Sequence, residues 1–412
     1  MVCKRLSICY AAPGQILRPS AGPTRNVLSL AHALSRWADV TVAFRTILEP
    51  ASPCLYEVIA IEPGAAVPMD HKDDNATRGM YPLRHMAYCR ALRSFARERA
   101  SSFDIVLEKG WRLSGFLSSA FRSEGVPAVL VENDVRFWTE PLDGVRNVGK
   151  YFLHCAAQFV ATSCCRRLPL VVAETEELKT MLVARRGIAA DRIQVVGLGV
   201  DHALFHPLDQ AAARASLGVS RDVALLLYVG AMDEYHDLEP VIDALGQTAG
   251  ARVRLHVVGD GEYRARCEAK AKQAGVKARF HGHVPHREVP LYIAAADLCI
   301  APYRTTAFHG GVVTFSTLKI PEYMACGRPV VAVPGATIQR LVKHGVSGFL
   351  FPNDVASWVS FLEALPPRER LASMGEQAAR AVDSVSWDST ATRYLEACEG
   401  LVERQSGHRM MN

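Results

Sequence analysis

Short apolar runs of strand length alternate along the chain with amphipathic stretches of helical length, the pattern of βαβ units that build a parallel sheet. In the first half this pattern predicts strands at 5–12, 40–44, 104–107, 128–132, 170–173 and 193–196, with a helix over 26–37. A further helix is predicted over 175–182, with Thr175 as its N-cap. A second set begins after Phe205-His206-Pro207, with strands at 224–229, 252–258, 278–281, 298–301 and 329–333 and helices at 238–245, 264–274, 287–295 and 319–326. All-α and all-β architectures are excluded by this alternation. The fold class that follows is α/β, with two doubly wound, Rossmann-like domains and a ligand expected beyond the carboxyl ends of the strands, in a cleft between the domains.

Composition narrows the picture only a little. The 412 residues suit two or three domains, and 49% hydrophobic against 22% charged residues is an ordinary folded balance. The surplus of 47 − 42 = +5 charges is too small to imply a nucleic-acid partner. Eleven cysteines occur with no CxxC pair, which reads as free, mostly buried thiols in a reducing cytosol. Neither a signal peptide near Met1–Ala12 nor a membrane span is read, because the most apolar later stretch, 152–172, is interrupted by His154, Gln158, Arg166 and Arg167. The Arg-bearing segment 151–169 suits a buried helix, with peripheral contact to the inner face of a membrane as the open alternative for a cytoplasmic protein.

Candidate chemistry lies where strands hand over to helices. Gly259-Asp260-Gly261 follows a strand, but Arg264 stands where a dinucleotide fingerprint needs glycine, so a tight turn is the simpler account. No P-loop and no D-x-D carboxylate pair occurs. Ala21-Gly22-Pro23-Thr24-Arg25-Asn26 opens the first helix, either as a phosphate cradle or as a plain helix start capped by Thr24. The richest stretch is 308–334, where Gly310-Gly311 permits close backbone approach, Ser316 and Thr317 are candidate caps, and Lys319 falls in the first turn of a helix. Helix starts favour anionic side chains, so a lysine there is better explained by a phosphate above it, with Glu322 three residues on able to accept from a ribose diol. His236 sits in a polar loop and reads as exposed, while His281, His283 and His286 lack the carboxylates of a metal site. Glu108-Lys109 and Glu132-Asn133-Asp134 follow strands and are expected on the rim where an acceptor docks.

These motifs, in this order, resemble the retaining GT-B glycosyltransferases of family 4. The resemblance is carried by LLYVGAMDEYHDLEPVIDAL at 226–245, LHVVGDGEYR at 255–264, FHGHVPHREVPLYIAAADLCIAPY at 280–303, STLKIPEYMACGRPVVA at 316–332, HGVSGFLF at 344–351 and Ser386-Trp387. In the first half AGPTRN, FDIVLEKG, VPAVLVEND and GLGVDHALFHP match less sharply. The resemblance implies an acceptor domain over 1–205, a nucleotide-sugar domain over 206–385, and a C-terminal helix from 386 crossing back to the first domain. It implies donor contacts from Gly22, Gly230, His236, Gly310, Gly311, Thr314, Ser316, Thr317, Leu318, Lys319 and Glu322, and acceptor contacts from Arg25, Glu108 and Asn133. Glu132, His236 and Lys319 are the candidate catalytic groups.

Two departures from the family matter. Where the family carries the first of two glutamates this chain has Thr314, and where it carries Arg and Lys after the strand at 225–229 this chain has Ala231 and His236. A subgroup with such a histidine leaves more of the diphosphate to Lys319. The activity implied is sugar transfer with retention, from a UDP- or GDP-linked donor to a hydroxyl of a saccharide, lipid-linked saccharide or natural product, with no cofactor and no metal. A nucleotide-sugar epimerase and a catalytically silent nucleotide-sugar-binding subunit are the competing readings.

Overall fold

The computed structural model describes residues 5–17, 22–48, 55–62, 81–134, 144–248, 252–307, 313 and 316–411. The chain forms two compact units, one of residues 1–197 with 387–412 and one of residues 198–386. In the first unit the strands are β1 (Ser7–Leu17), β2 (Asp39–Ile47), β3 (Glu57–Ala60), β4 (Ile105–Lys109), β5 (Ala128–Glu132), β6 (Leu170–Ala173) and β7 (Ile193–Val195). They form one parallel sheet in the order β3-β2-β1-β4-β5-β6-β7, which reverses direction beside β1 as doubly wound sheets do.

The first unit's sheet is covered on both faces. Cys9, Ala11, Ala43, Val106 and Ala128 pack against Tyr88, Leu92, Phe95, Leu117 and Phe121 of helices Tyr81–Arg99 and Phe116–Ser123. Helix Trp387–Met411 belongs to this unit, held by Arg36 on Asp388 at 2.5 Å and by the Thr390 hydroxyl donating to the Gly197 carbonyl at 3.1 Å.

The second unit adds β8 (Ala224–Val229), β9 (Val253–Val258), β10 (Ala278–Gly282), β11 (Leu298–Ala301), β12 (Val330–Ala332) and β13 (Gly348–Leu350), parallel in the order β10-β9-β8-β11-β12-β13. The period of two splits β8 between two cores. Leu225 and Leu227 face Ile293, Ile320 and Met324, whereas Leu226 and Tyr228 face Val241, Ile242 and Trp358. Val200 and Phe205 are buried in the first of these cores.

Edge strands β3 and β13 are absent from the sequence reading, because four and three residues with a half-exposed pattern carry no continuous apolar signal. Helix starts also differ from expectation. Thr175 does cap its helix, accepting from the Leu178 amide at 3.0 Å. Thr24 does not, because helix Gly22–Leu34 begins two residues earlier and places Thr24 inside the first turn. Ser316 and Thr317 do not cap helix Lys319–Ala325 either, since Leu318 holds the cap position without a side-chain bond.

One buried ion pair ties the second unit together. Arg214 meets Asp297 at 2.5 Å, and the same carboxylate accepts from the Leu225 amide at 2.7 Å, locking the helix Gln210–Leu217 to the start of β8. Removing the acid leaves a buried guanidinium without its counter-charge, which costs about 3–5 kcal/mol. Asp297→Ala is therefore expected to lower the unfolding free energy of the second unit by that amount, read from the shift of the midpoint in urea unfolding.

Candidate active site

In the second unit the carboxyl end of β8 turns through Gly230, whose φ of 148° lies outside the range of ordinary side chains. A Cβ there would stand 2.6 Å from the Lys319 Nζ and 3.0 Å from the Tyr228 hydroxyl. Gly259 and Gly261, also at positive φ, let the loop after β9 lie backbone to backbone on Gly230 and Met232. The GDG motif is thus a close-packing device beside the site, as the simpler account of it expected.

Lys319 is the centre of this arrangement. Its Nζ donates to the Tyr228 hydroxyl at 3.2 Å and lies 4.4 Å and 5.5 Å from the ring centroids of Tyr228 and Tyr303. The rings are fixed in turn, because Tyr228 donates to the Ala231 carbonyl at 2.5 Å and Tyr303 to the Thr317 hydroxyl at 2.7 Å. Burial pushes the Lys319 ammonium down to about 7, against the pull of Asp233 and Glu322 in the other direction.

His236 is part of the same cluster rather than an exposed loop residue. It pairs with Tyr303 in an isolated antiparallel bridge, its ring stands 5.3 Å from that of Tyr303, and its Nδ1 is 2.8 Å from the Asp233 carboxylate. Burial and then the Lys319 charge push the imidazole down to about 4, so it is neutral at pH 7. Burial raises the Asp233 carboxyl, but its bond with His236 outweighs this and holds it below the usual range. A neutral ring donating Nδ1–H to Asp233 presents Nε2 as an acceptor. Glu322 is mostly buried, 3.7 Å from the His286 Nε2, on the helix that Lys319 opens.

The structure brings together Gly230, His236, Thr317, Leu318, Lys319 and Glu322 from the expected donor set, with Ser316 half-buried beside them. Gly310, Gly311 and Thr314 lie outside the described residues. Tyr228, Tyr303 and Asp233 are the members that sequence reasoning missed. The loop histidines do not converge: His281 bonds His256 at 3.1 Å, while His286 meets the Phe205 ring edge-on at 5.1 Å.

The first unit corrects the expected rim. Glu108 has no exposed surface and accepts from the Trp111 indole at 2.8 Å and from the Gly115 and Ser118 amides at 3.0 and 2.6 Å, which anchors the start of helix Phe116–Ser123. Burial pushes its carboxyl up to about 7 in spite of those bonds. Glu132 is equally enclosed and pairs with Arg186 at 2.7 Å. A carboxylate so covered does not reach a substrate, which removes both from the roles expected of them. Lys109 meets Glu174 at 3.7 Å, and Glu174 also accepts from Asn26 at 3.2 Å. Gly22 opens the helix that carries half-buried Arg25, and Asn133 is half-buried after β5.

Comparison with known proteins agrees with this architecture. Residues 21–204 match the family described as Glycosyltransferase Family 4 and residues 224–365 match Glycosyl transferases group 1. The chain belongs to the group 1, family 4 glycosyltransferases of GT-B fold. A D-inositol 3-phosphate glycosyltransferase of Catenulispora acidiphila is 28% identical over 74% of each chain, and one of Thermomonospora curvata is 34% identical over 56% of each. For several such relatives the chain spans about half of their length. Among solved structures, sucrose-phosphate synthase of Thermosynechococcus elongatus superposes with a TM-score of 0.76 at 19% identity, covering 97% of this chain and 100% of that one. Anabaena HepE in complex with UDP-glucose gives 0.72 at 19% identity, covering 96% and 100%.

The desolvated lysine has a consequence for stability. Its folded proton affinity is below that of the unfolded chain, so the penalty is fully present below pH 7 and fades as pH rises toward 10.5. Lys319→Met is expected to stabilise the ligand-free protein at pH 7, raising Tm by about 2–4 °C for each kcal/mol recovered, with the gap closing by pH 10. Differential scanning calorimetry across that range measures it.

Proposed function

We propose that this glycosyltransferase moves a sugar, with retention of configuration and without an obligatory metal, from a nucleoside diphosphate sugar to an acceptor hydroxyl. The observation that carries the reading is Lys319, whose half-buried ammonium is packed against two tyrosine rings at the carboxyl end of a parallel sheet, beside a glycine turn that leaves room for the lysine head. Departure of the diphosphate leaves positive charge on the sugar and adds negative charge to the leaving group, and a fixed, poorly hydrated cation stabilises that growing anion. In this reading Lys319 takes the diphosphate, Glu322 accepts from the ribose, and the neutral His236 accepts a sugar hydroxyl at Nε2 while Asp233 holds its other nitrogen.

Attack on the face that the diphosphate leaves lets a phosphate oxygen take the acceptor's proton, so no protein nucleophile is required. The HepE complexes with UDP and with UDP-glucose support a UDP-linked donor as the first to test, with GDP as the other. The names of the inositol 3-phosphate relatives support a phosphorylated polyol as the first acceptor to try, ahead of saccharides and lipid-linked saccharides.

The test is thermal stability against UDP, GDP, ADP and dTDP, with and without magnesium, for the wild type and Lys319→Ala. One diphosphate at 100 times its Kd is expected to stabilise the wild type by about 2.7 kcal/mol without metal, and the variant by almost nothing. If no diphosphate stabilises the wild type, the reading fails. A pH series adds a second check. An anion binds the ammonium form, so affinity is full at pH 6 and falls by up to about tenfold per unit above the Lys319 value of about 7, whereas Lys319→Ala is flat over that range.

A further inference from the structure

Helix Gly144–Cys165 in the first unit carries two apolar faces. Ala157, Ala161 and Cys165 repeat at four-residue spacing and are buried in the domain. On the other side Val148, Phe152, Cys155 and Phe159 fall within an arc of about 60° at 100° per residue, and all are exposed. Phe152 and Phe159 leave 66% and 77% of their surface in solvent, and Val148 and Val160 leave 37% each. A soluble domain gains nothing from holding two phenylalanine rings in water on one line, so the stripe points to something that covers it.

Charge decides what that is. No Asp or Glu occurs between Asp143 and Glu174, while Arg146, Lys150, Arg166 and Arg167 do. Helix Gly144–Cys165 packs beside Phe116–Ser123, which packs beside Tyr81–Arg99, and the latter carries five arginines against one glutamate. Burial and then the Arg112 charge push the His154 imidazole down, so a further cation stands beside the helix. Exposed aromatic rings on a helix flanked by Arg and Lys, with acids excluded, suit the headgroup boundary of an anionic bilayer. No helix among the described residues is long and apolar enough to cross a membrane, so such contact lies in the plane of the surface.

We propose that the first unit docks on anionic membranes through helix Gly144–Cys165, with Phe152 and Phe159 entering the acyl boundary and the surrounding arginines meeting lipid phosphates. The inference stands apart from the donor reading, since no residue of the Lys319 cluster takes part.

The test is flotation of the full chain with phosphatidylcholine vesicles, with and without phosphatidylglycerol, at low and high salt. Wild-type protein is expected to float with the anionic vesicles alone, and less at high salt. Phe152→Gln/Phe159→Gln is expected to lose at least about tenfold in vesicle binding with unchanged thermal stability, because both rings are solvent-exposed. Arg93→Glu/Arg167→Glu is expected to lose binding while keeping the stripe. Three results overturn the proposal: wild-type protein that does not float, variants that float as well as wild type, or a dimer by light scattering that the double Phe variant dissolves, which would assign the stripe to a second copy of this chain.

Discussion

The second unit is organised around the placement of a single half-buried ammonium group against two tyrosine rings. Lys319 is held against the faces of Tyr228 and Tyr303, with no room at Gly230 for a side chain that would push it aside. Everything nearby serves that position: the Tyr228 and Tyr303 hydroxyls are tied to the Ala231 carbonyl and to Thr317, and Tyr323 pins the end of β8 by accepting from the Val229 amide at 2.8 Å. A cation with poor hydration interacts strongly with an incoming anion because little water has to be stripped from it. The same property makes the empty site unfavourable, so stability and ligand affinity oppose each other at one residue.

His236 adds a neutral, oriented imidazole to the charge that Lys319 brings. At His236 the loop after β8 holds an imidazole that its surroundings keep neutral, with Asp233 fixing one nitrogen. The cluster therefore concentrates its positive charge at Lys319 and adds an acceptor beside it.

The alternation of apolar runs and helical stretches made the parallel sheets legible, and β5, β6, β8 and β11 lie within the same bounds in sequence and structure. Lys319 was legible because a lysine opening a helix contradicts the helix dipole and asks for an explanation. Tyr228 and Tyr303 were not, since a tyrosine ending an apolar run reads as core until its neighbours are known. Glu108 and Glu132 were placed correctly at strand ends but on the wrong side of burial. Nothing local in the sequence records that helix Phe116–Ser123 sets its first amides on Glu108 or that Arg186 arrives from 54 residues away to pair with Glu132. Such long-range neutralisation separates a carboxylate that builds the fold from one that serves a ligand.

The helix Trp387–Met411 makes the first unit discontinuous along the chain, while residues 198–386 form an unbroken stretch. During synthesis the second unit is complete before the first, even though the first begins at the N-terminus. Residues 5–197 emerge with the surface of helix Gly22–Leu34 uncovered until the final helix arrives to pack beside it. The order of assembly is thereby inverted relative to the order of translation, and the early half must wait with apolar surface open, the condition under which nascent chains call on chaperones.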